Sequence, residues 1–271
     1  MTAPVIRPGE LDVEVVADAT GRTRTSTLRQ RYPQRVTTAL HCDPRRPGAA
    51  TLCVQSPSGG AFSDDELHTV VRCRPRSDLH LTTQAATQVF AGAGAGARHL
   101  LDFTVDCGAV LEYCPGTVIP HRDSHFRQQL DLAVTAGGVY LGWEAVASGR
   151  IAHGERFGFT CYDSAFVVRV DGCAVARDRQ VIRPVEGDPG PLVDTDYLGT
   201  FLAVTPGHDG GALLDNVRSV LDGTAGGAGR LPRDAGVFAR VAVHHAPELH
   251  RIRQQLFHAV RRTLFPESGQ R

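Results

Sequence analysis

Few side chains in this 271-residue sequence combine a reactive type with a suggestive spacing. Glu112 sits in VLEYC and Glu144 in LGWEA, two stretches that read as strands. Two carboxylates brought together can act as an acid–base pair for a hydrolase or isomerase. Strung along a polar track, they can instead offer oxygen ligands to a passing cation. Glu155, in GRIAHGERF, is a further acidic candidate. His121, Asp123 and His125 follow Pro120 in a turn-like segment. Imidazole and carboxylate suit nickel or zinc, although histidines in a polar turn are usually just solvated. His250 and His258 fall two helical turns apart, too far along an axis to share one ion.

Absences narrow the chemistry. The sequence has no lysine; all 29 basic residues are arginine. A P-loop, a Schiff base and a Ser–Lys dyad each need lysine and are excluded. No H-E-x-x-H, G-x-S-x-G or catalytic-cysteine signature occurs. AGAGAGA (91–97) lacks dinucleotide-binding spacing and leads into a strand-like run, so it reads as a connection.

The candidate acids depend on a repeat. Leu81, Leu111 and Leu141 are spaced by 30 residues twice. Around them RSDLHLTTQ, DCGAVLEYC and AGGVYLGWE each place a turn residue (Asp78, Gly108, Gly138) before a strand. Each is preceded by another strand-like run: LHTVVRCR, RHLLDFTV and RQQLDLAV. The unit is strand, tight turn, strand, return loop, and units of this length stack to bury a continuous core. The expected fold is mainly β, built of stacked antiparallel units in a solenoid-like or multi-sheet arrangement. Because alternate residues of a strand share a face, the 30-residue alignment puts Leu81/Thr83, Leu111/Tyr113 and Leu141/Trp143 on a core face. Thr82, Glu112 and Gly142, then Gln84, Cys114 and Glu144, fall on the opposite face. That face is either wet or an internal polar track, in which buried Glu112 and Glu144 need a cation or hydrogen bonds.

LDVEVVADA (11–19), TRTSTLRQRYPQRV and ATLCVQ (50–55) read as strands before the repeat, and SPSGGAFSDDEL (56–67) as a turn-rich loop. Asp171-Gly172 marks a hairpin. Residues 1–205 form a β-rich body, and 206–271 a tail of helices and one strand packed on it, in a single domain. Helices are expected over 210–223 and 246–266, with a loop at TAGGAGR (224–230) and a strand at VFARVAV (237–243). The second helix carries an apolar stripe of Leu249, Ile252, Leu256, Val260 and Leu264, and Pro266 ends it.

Acidic and basic residues balance at 29 each, which argues against a nucleic-acid partner. No apolar run reaches the ~18–20 residues of a membrane span, and the start has no secretory pattern, so the expected setting is cytoplasmic. Seven cysteines with no C-x-x-C pair read as reduced, semi-buried side chains.

SPSGGAFSDDEL, LTTQAATQVF, GAVLEY, GWEAVASGRIAHGERF and LPRDAGVFARVAV, in that order, resemble the urease accessory protein UreD (UreH) family over nearly the whole chain. In the family's Gly-Gly-x-x-x-Gly-Asp-x-Leu pattern, Asp64 stands where glycine is common and Asp65 falls on the aspartate. The resemblance implies a non-enzymatic factor that joins UreF and the GTPase UreG, binds apo-urease and helps deliver nickel. It implies no tightly bound cofactor, only transient Ni(II), and an internal passage for the metal. On it, Asp65, Glu112, Glu144 and Glu155 become candidate metal-path residues, with Thr82, Thr83 and Gln84 lining the passage.

Overall fold

The computed structural model describes residues 8–184 and 194–265. β1 (Gly9–Ala17) and β2 (Thr23–Arg31) pair antiparallel, followed by β3 (Ala50–Val54) and the short β4 (Gly60–Ala61). Three coils come next. The first is β5 (Glu66–Cys73), β6 (Asp78–Thr83) and β7 (Thr87–Val89). The second is β8 (Ala97–Val105), β9 (Val110–Cys114) and β10 (Val118–Pro120). The third is β11 (His125–Val134) and the uninterrupted β12 (Val139–Ala147). The hairpin β13 (Cys161–Val170) and β14 (Cys173–Ile182) precedes β15 (Tyr197–Val204). The tail is α1 (Gly210–Leu221), β16 (Ala225–Arg230), β17 (Gly236–Val243) and α2 (Ala246–Leu264).

The fold is mainly β and solenoid-like, with a small helical part. One sheet has the order β14-β13-β11-β8-β5-β1-β2. The other runs β16-β17-β15-β12, then divides into β9-β6-β3 and β10-β7-β4. Within the coils the stacking is parallel rather than antiparallel: β5, β8 and β11 pair in parallel in the first sheet, and β6, β9 and β12 in the second. The tight turn after β5, β8 and β11 carries the chain across to the other sheet instead of back along the same one. Antiparallel pairing is kept where the chain does reverse. The Asp171-Gly172 turn does so with φ of 47° and 79°, the left-handed pair a two-residue hairpin requires.

Inward residues alternate with outward ones, as in Leu11, Val13 and Val15 of β1 or Leu101, Phe103 and Val105 of β8, all buried between the sheets. The outer face of the first sheet is polar, with ion pairs such as Arg72–Asp12, Arg74–Glu14 and Arg179–Asp163 between strands. A second core lies on the far side of the other sheet. There Leu249, Ile252, Leu256 and Val260 of α2, with Leu213 and Val217 of α1, cover Leu141, Trp143, Phe201 and Val241. The predicted stripe thus packs against the second sheet, with Leu264 at its margin, and Pro266 lies outside the described residues.

Residues 225–230, expected as a loop, form the edge strand β16. Its Ala-Gly-Gly-Ala-Gly run has little β propensity; pairing to β17 supplies the hydrogen bonds. All seven cysteines are free.

Candidate functional site

The repeat's true register decides which acids meet. Leu79 pairs with Leu111, 32 residues on, and Leu111 with Tyr140, 29 residues on. The first offset differs from 30 by two and keeps the face. The second differs by one and exchanges the faces. Leu141 and Trp143 therefore lie in the helix-side core, while Leu79, Leu81, Leu111, Tyr113 and Tyr140 face the other sheet. Glu112 and Glu144 point to opposite sides of their sheet. They form no shared column and converge on no common pocket, so the acid–base pair expected for a hydrolase or isomerase is not assembled.

Glu112 is fully buried on the helix side. Arg261 of α2 grips it with both arms of its guanidinium, Nε to Oε1 at 2.5 Å and Nη2 to Oε2. Arg46 Nη2 lies 3.0 Å and His80 Nδ1 3.0 Å from Oε2. Burial alone raises its pKa, but hydrogen bonds from His80 and Arg261 and the charges of Arg46 and Arg261 outweigh it and hold the carboxyl at about 2. Asp78, 3.2 Å from Arg46, behaves oppositely: burial dominates and pushes it up to about 6. This cluster ties the terminal helix to the second sheet.

Glu144 belongs to a different setting. β6 and β7, and β9 and β10, are single strand paths interrupted at 84–86 and 115–117. β3 and β4 are interrupted likewise at 55–59. The three breaks stack beside the continuous β12. Gly116 makes the stacking close: a Cβ there would lie 2.4 Å from the Ala85 carbonyl oxygen. Thr83 Oγ1 donates to Ala85 O (2.8 Å) and accepts from Gly116 N (2.8 Å). Gln84 N donates to Val54 O (2.9 Å). The breaks open a cavity of about 120 Å³, lined by Thr83, Gln84, Pro115, Gly116, Tyr113 and Glu144 among others. It is roomy enough for several water-sized groups. It separates the main inter-sheet core from a smaller one around Val89, Val118 and Phe126.

Across the cavity the first sheet turns polar side chains inward. Leu67, His99, Gln128 and Ser164 stand side by side in register on β5, β8, β11 and β13. Gln128 Nε2 donates to Glu144 Oε2 at 3.1 Å, Tyr162 donates its hydroxyl to Oε1, and Ser164 also hydrogen-bonds the carboxyl. Burial nevertheless dominates and raises the Glu144 pKa above the ordinary carboxylate value. Glu144 is enclosed by protein, and its residual accessible surface faces the cavity. Behind it, Thr69 Oγ1 donates to Gln34 Oε1 (2.6 Å) and lies 2.9 Å from His99 Nε2. Burial lowers the His99 pKa to about 4. These partners were readable in principle: Thr69, His99 and Gln128 each occupy an inward position in an otherwise apolar alternation.

The other candidates are dispersed. Asp65 Oδ2 accepts from Phe62 N (2.8 Å) and closes the turn before β5. Asp64 there has φ of 71°, the conformation that favours the glycine common in the family pattern, and its Oδ1 accepts from Ala95 N in the AGAGAGA loop (2.8 Å). Thr82 faces the helix side and donates to Cys114 O (2.8 Å). Glu155, past β12, holds Arg150 at 2.8 and 2.6 Å. His121 Nε2 lies 2.7 Å from Gln88 Oε1, and Asp123 takes a left-handed turn with φ of 60°. Among the described residues no group of three or more His, Cys, Asp or Glu side chains could hold a metal ion, the His121/Asp123/His125 set included.

The family model described as UreD urease accessory protein matches residues 7–271. The chain belongs to the UreD urease accessory protein family. It is 67% identical over 269 residues to the urease accessory protein UreD of Mycolicibacterium gilvum (strain PYR-GCK), covering 98% of each chain. It is 31% identical over 250 residues to a UreD of Natronomonas pharaonis, covering 88% of this chain and 83% of the relative. It is 29% identical over 252 residues to UreD 2 of Streptomyces griseus, covering 90% and 86%. Membership makes this UreD-family chain an accessory protein serving urease. None of its described helices is long and apolar enough to cross a membrane.

Proposed function

We propose that this UreD-family protein is a non-enzymatic maturation factor that scaffolds UreF and UreG on apo-urease in the cytoplasm. It passes nickel, its cargo, toward the urease active site by way of the cavity at Glu144. The supporting observation is the part-buried carboxylate that faces the cavity at the stacked strand breaks, opposite His99, Gln128 and Ser164. Nitrogen and oxygen donors of this kind suit Ni²⁺. Glu144, raised in pKa by burial, releases its proton more readily when a cation arrives. Thr83 and Gln84 line the same cavity. Glu112, neutralised by arginines across the sheet, anchors α2 instead, and Asp65 and Glu155 fix local turns.

The test is Glu144→Gln in a reconstituted urease activation assay. The glutamine keeps hydrogen-bonding capacity and removes a buried ionisable group, so folding and complex assembly persist. Nickel content of urease then falls by about tenfold or more. Wild-type nickel loading by this variant sinks the passage. Nickel-loaded urease in a strain deleted for the gene sinks the maturation role altogether.

A further inference from the structure

α1, α2 and the edge formed by His80, Thr82 and Cys114 enclose an open groove of about 1,210 Å³. That exceeds the ~300–1,000 Å³ usual for small-molecule sites. Arg251, Arg253 and Arg262 line it, and Asp222 is an exposed carboxylate on its rim. Arg251 donates to Gln255 (2.8 Å) and Arg253 to His250 (2.7 Å), neither of them a carboxylate. Among the described residues none of these three arginines pairs with a carboxylate, whereas Arg72, Arg74, Arg127, Arg169 and Arg179 on the opposite sheet all do. In a chain of balanced charge this is a local concentration of unneutralised guanidinium groups.

We propose that this groove docks an acidic segment of a partner protein. Guanidinium forks pair bidentately with Asp and Glu, and Gln254, Gln255 and Asn216 offer amides to a bound backbone. The positive lining repels a metal cation, so the groove is separate from the nickel cavity although one sheet divides them. A nucleic acid fits poorly. Phe257 of its lining is buried against Phe201 and offers no face on which a base could stack.

The experiment measures fluorescence anisotropy of a fluorescein-labelled alternating Glu–Ala peptide with the full chain at low and high salt. The expected result is salt-sensitive binding that weakens about tenfold or more in the Arg251→Glu/Arg262→Glu variant. Binding is retained in an Arg29→Glu/Arg122→Glu control. All four positions are solvent-exposed, and an unchanged thermal transition verifies folding. No binding at low salt, equal binding by the groove variant, or tighter binding of an oligothymidylate than of the peptide each overturns the proposal. None of these results bears on nickel transfer through Glu144.

Discussion

Ionising Asp78 works against the fold. Burial lifts its pKa from 3.8 to about 6, so between those values the folded state holds a proton that the unfolded chain releases. Wild-type stability from this group therefore falls as pH rises through that window. Asp78→Asn removes the titration, and the variant's stability relative to wild type should rise from pH 4 to pH 6 by about 2 kcal/mol. Urea unfolding at several pH values checks it; a flat difference contradicts it. Glu112 has the opposite sign. Its depressed pKa contributes stability above about 4.5 that is lost as pH falls through about 2, so α2 loosens in acid. Two carboxylates near one arginine, Arg46, thus pull stability in opposite directions because Glu112 is also hydrogen-bonded by Arg261 and His80, whereas Asp78 feels Arg261 only at a distance.

At the scale of elements, the run LTTQAATQ is explained by the strand break. β6 stops at Thr83 and β7 starts at Thr87; between them the Thr83 hydroxyl donates to the Ala85 carbonyl and accepts from Gly116 N of the neighbouring coil. Gly116→Ala drives a methyl into the Ala85 carbonyl of the neighbouring coil and should cost about 1–3 kcal/mol. Gly227→Ala in β16 meets nothing within 4 Å and should be neutral or stabilising by about 0.4–1 kcal/mol. Thermal unfolding of the two variants compares them directly; equal costs would mean that the close stacking at the break is unimportant. The long strands of the coils and both helices were legible in the sequence because alternation and the i, i+3, i+4 stripe are local signals, whereas the glycine-rich β16 carried no such signal. The stacking register was not. Turn lengths set it, and one residue of difference between the second and third coils moved Leu141, Trp143 and Glu144 to the other face. Glu112 and Glu144 were both legible as acids on strands, but neither their burial nor their separation was. Arg261, 149 residues beyond Glu112, carried no local sign of its pairing.

For the whole molecule, β12 is a wall common to two cores. Tyr140 faces the other sheet, and Trp143, the single tryptophan, faces the helices. Gly199 on β15 leaves room for the indole, since a Cβ there would meet its ring at 2.4 Å. Phe201 and Phe257 meet edge-to-face at 5.4 Å and fasten α2 to the same sheet. Tryptophan fluorescence thus reports the helix-side core, and near-UV tyrosine signals report mainly the space between the sheets, through Tyr113 and Tyr140 in its main core and Tyr162 in the smaller one. Phe103 packs on Tyr113 at 5.0 Å, far from the helices across the sheet. Phe103→Ala should cost about 3–5 kcal/mol. Because neither core keeps its wall without the other, the two signals should shift together to a lower midpoint. A tryptophan midpoint that stays at the wild-type value while the tyrosine signal shifts would mean that the helical layer and the solenoid unfold as separate units.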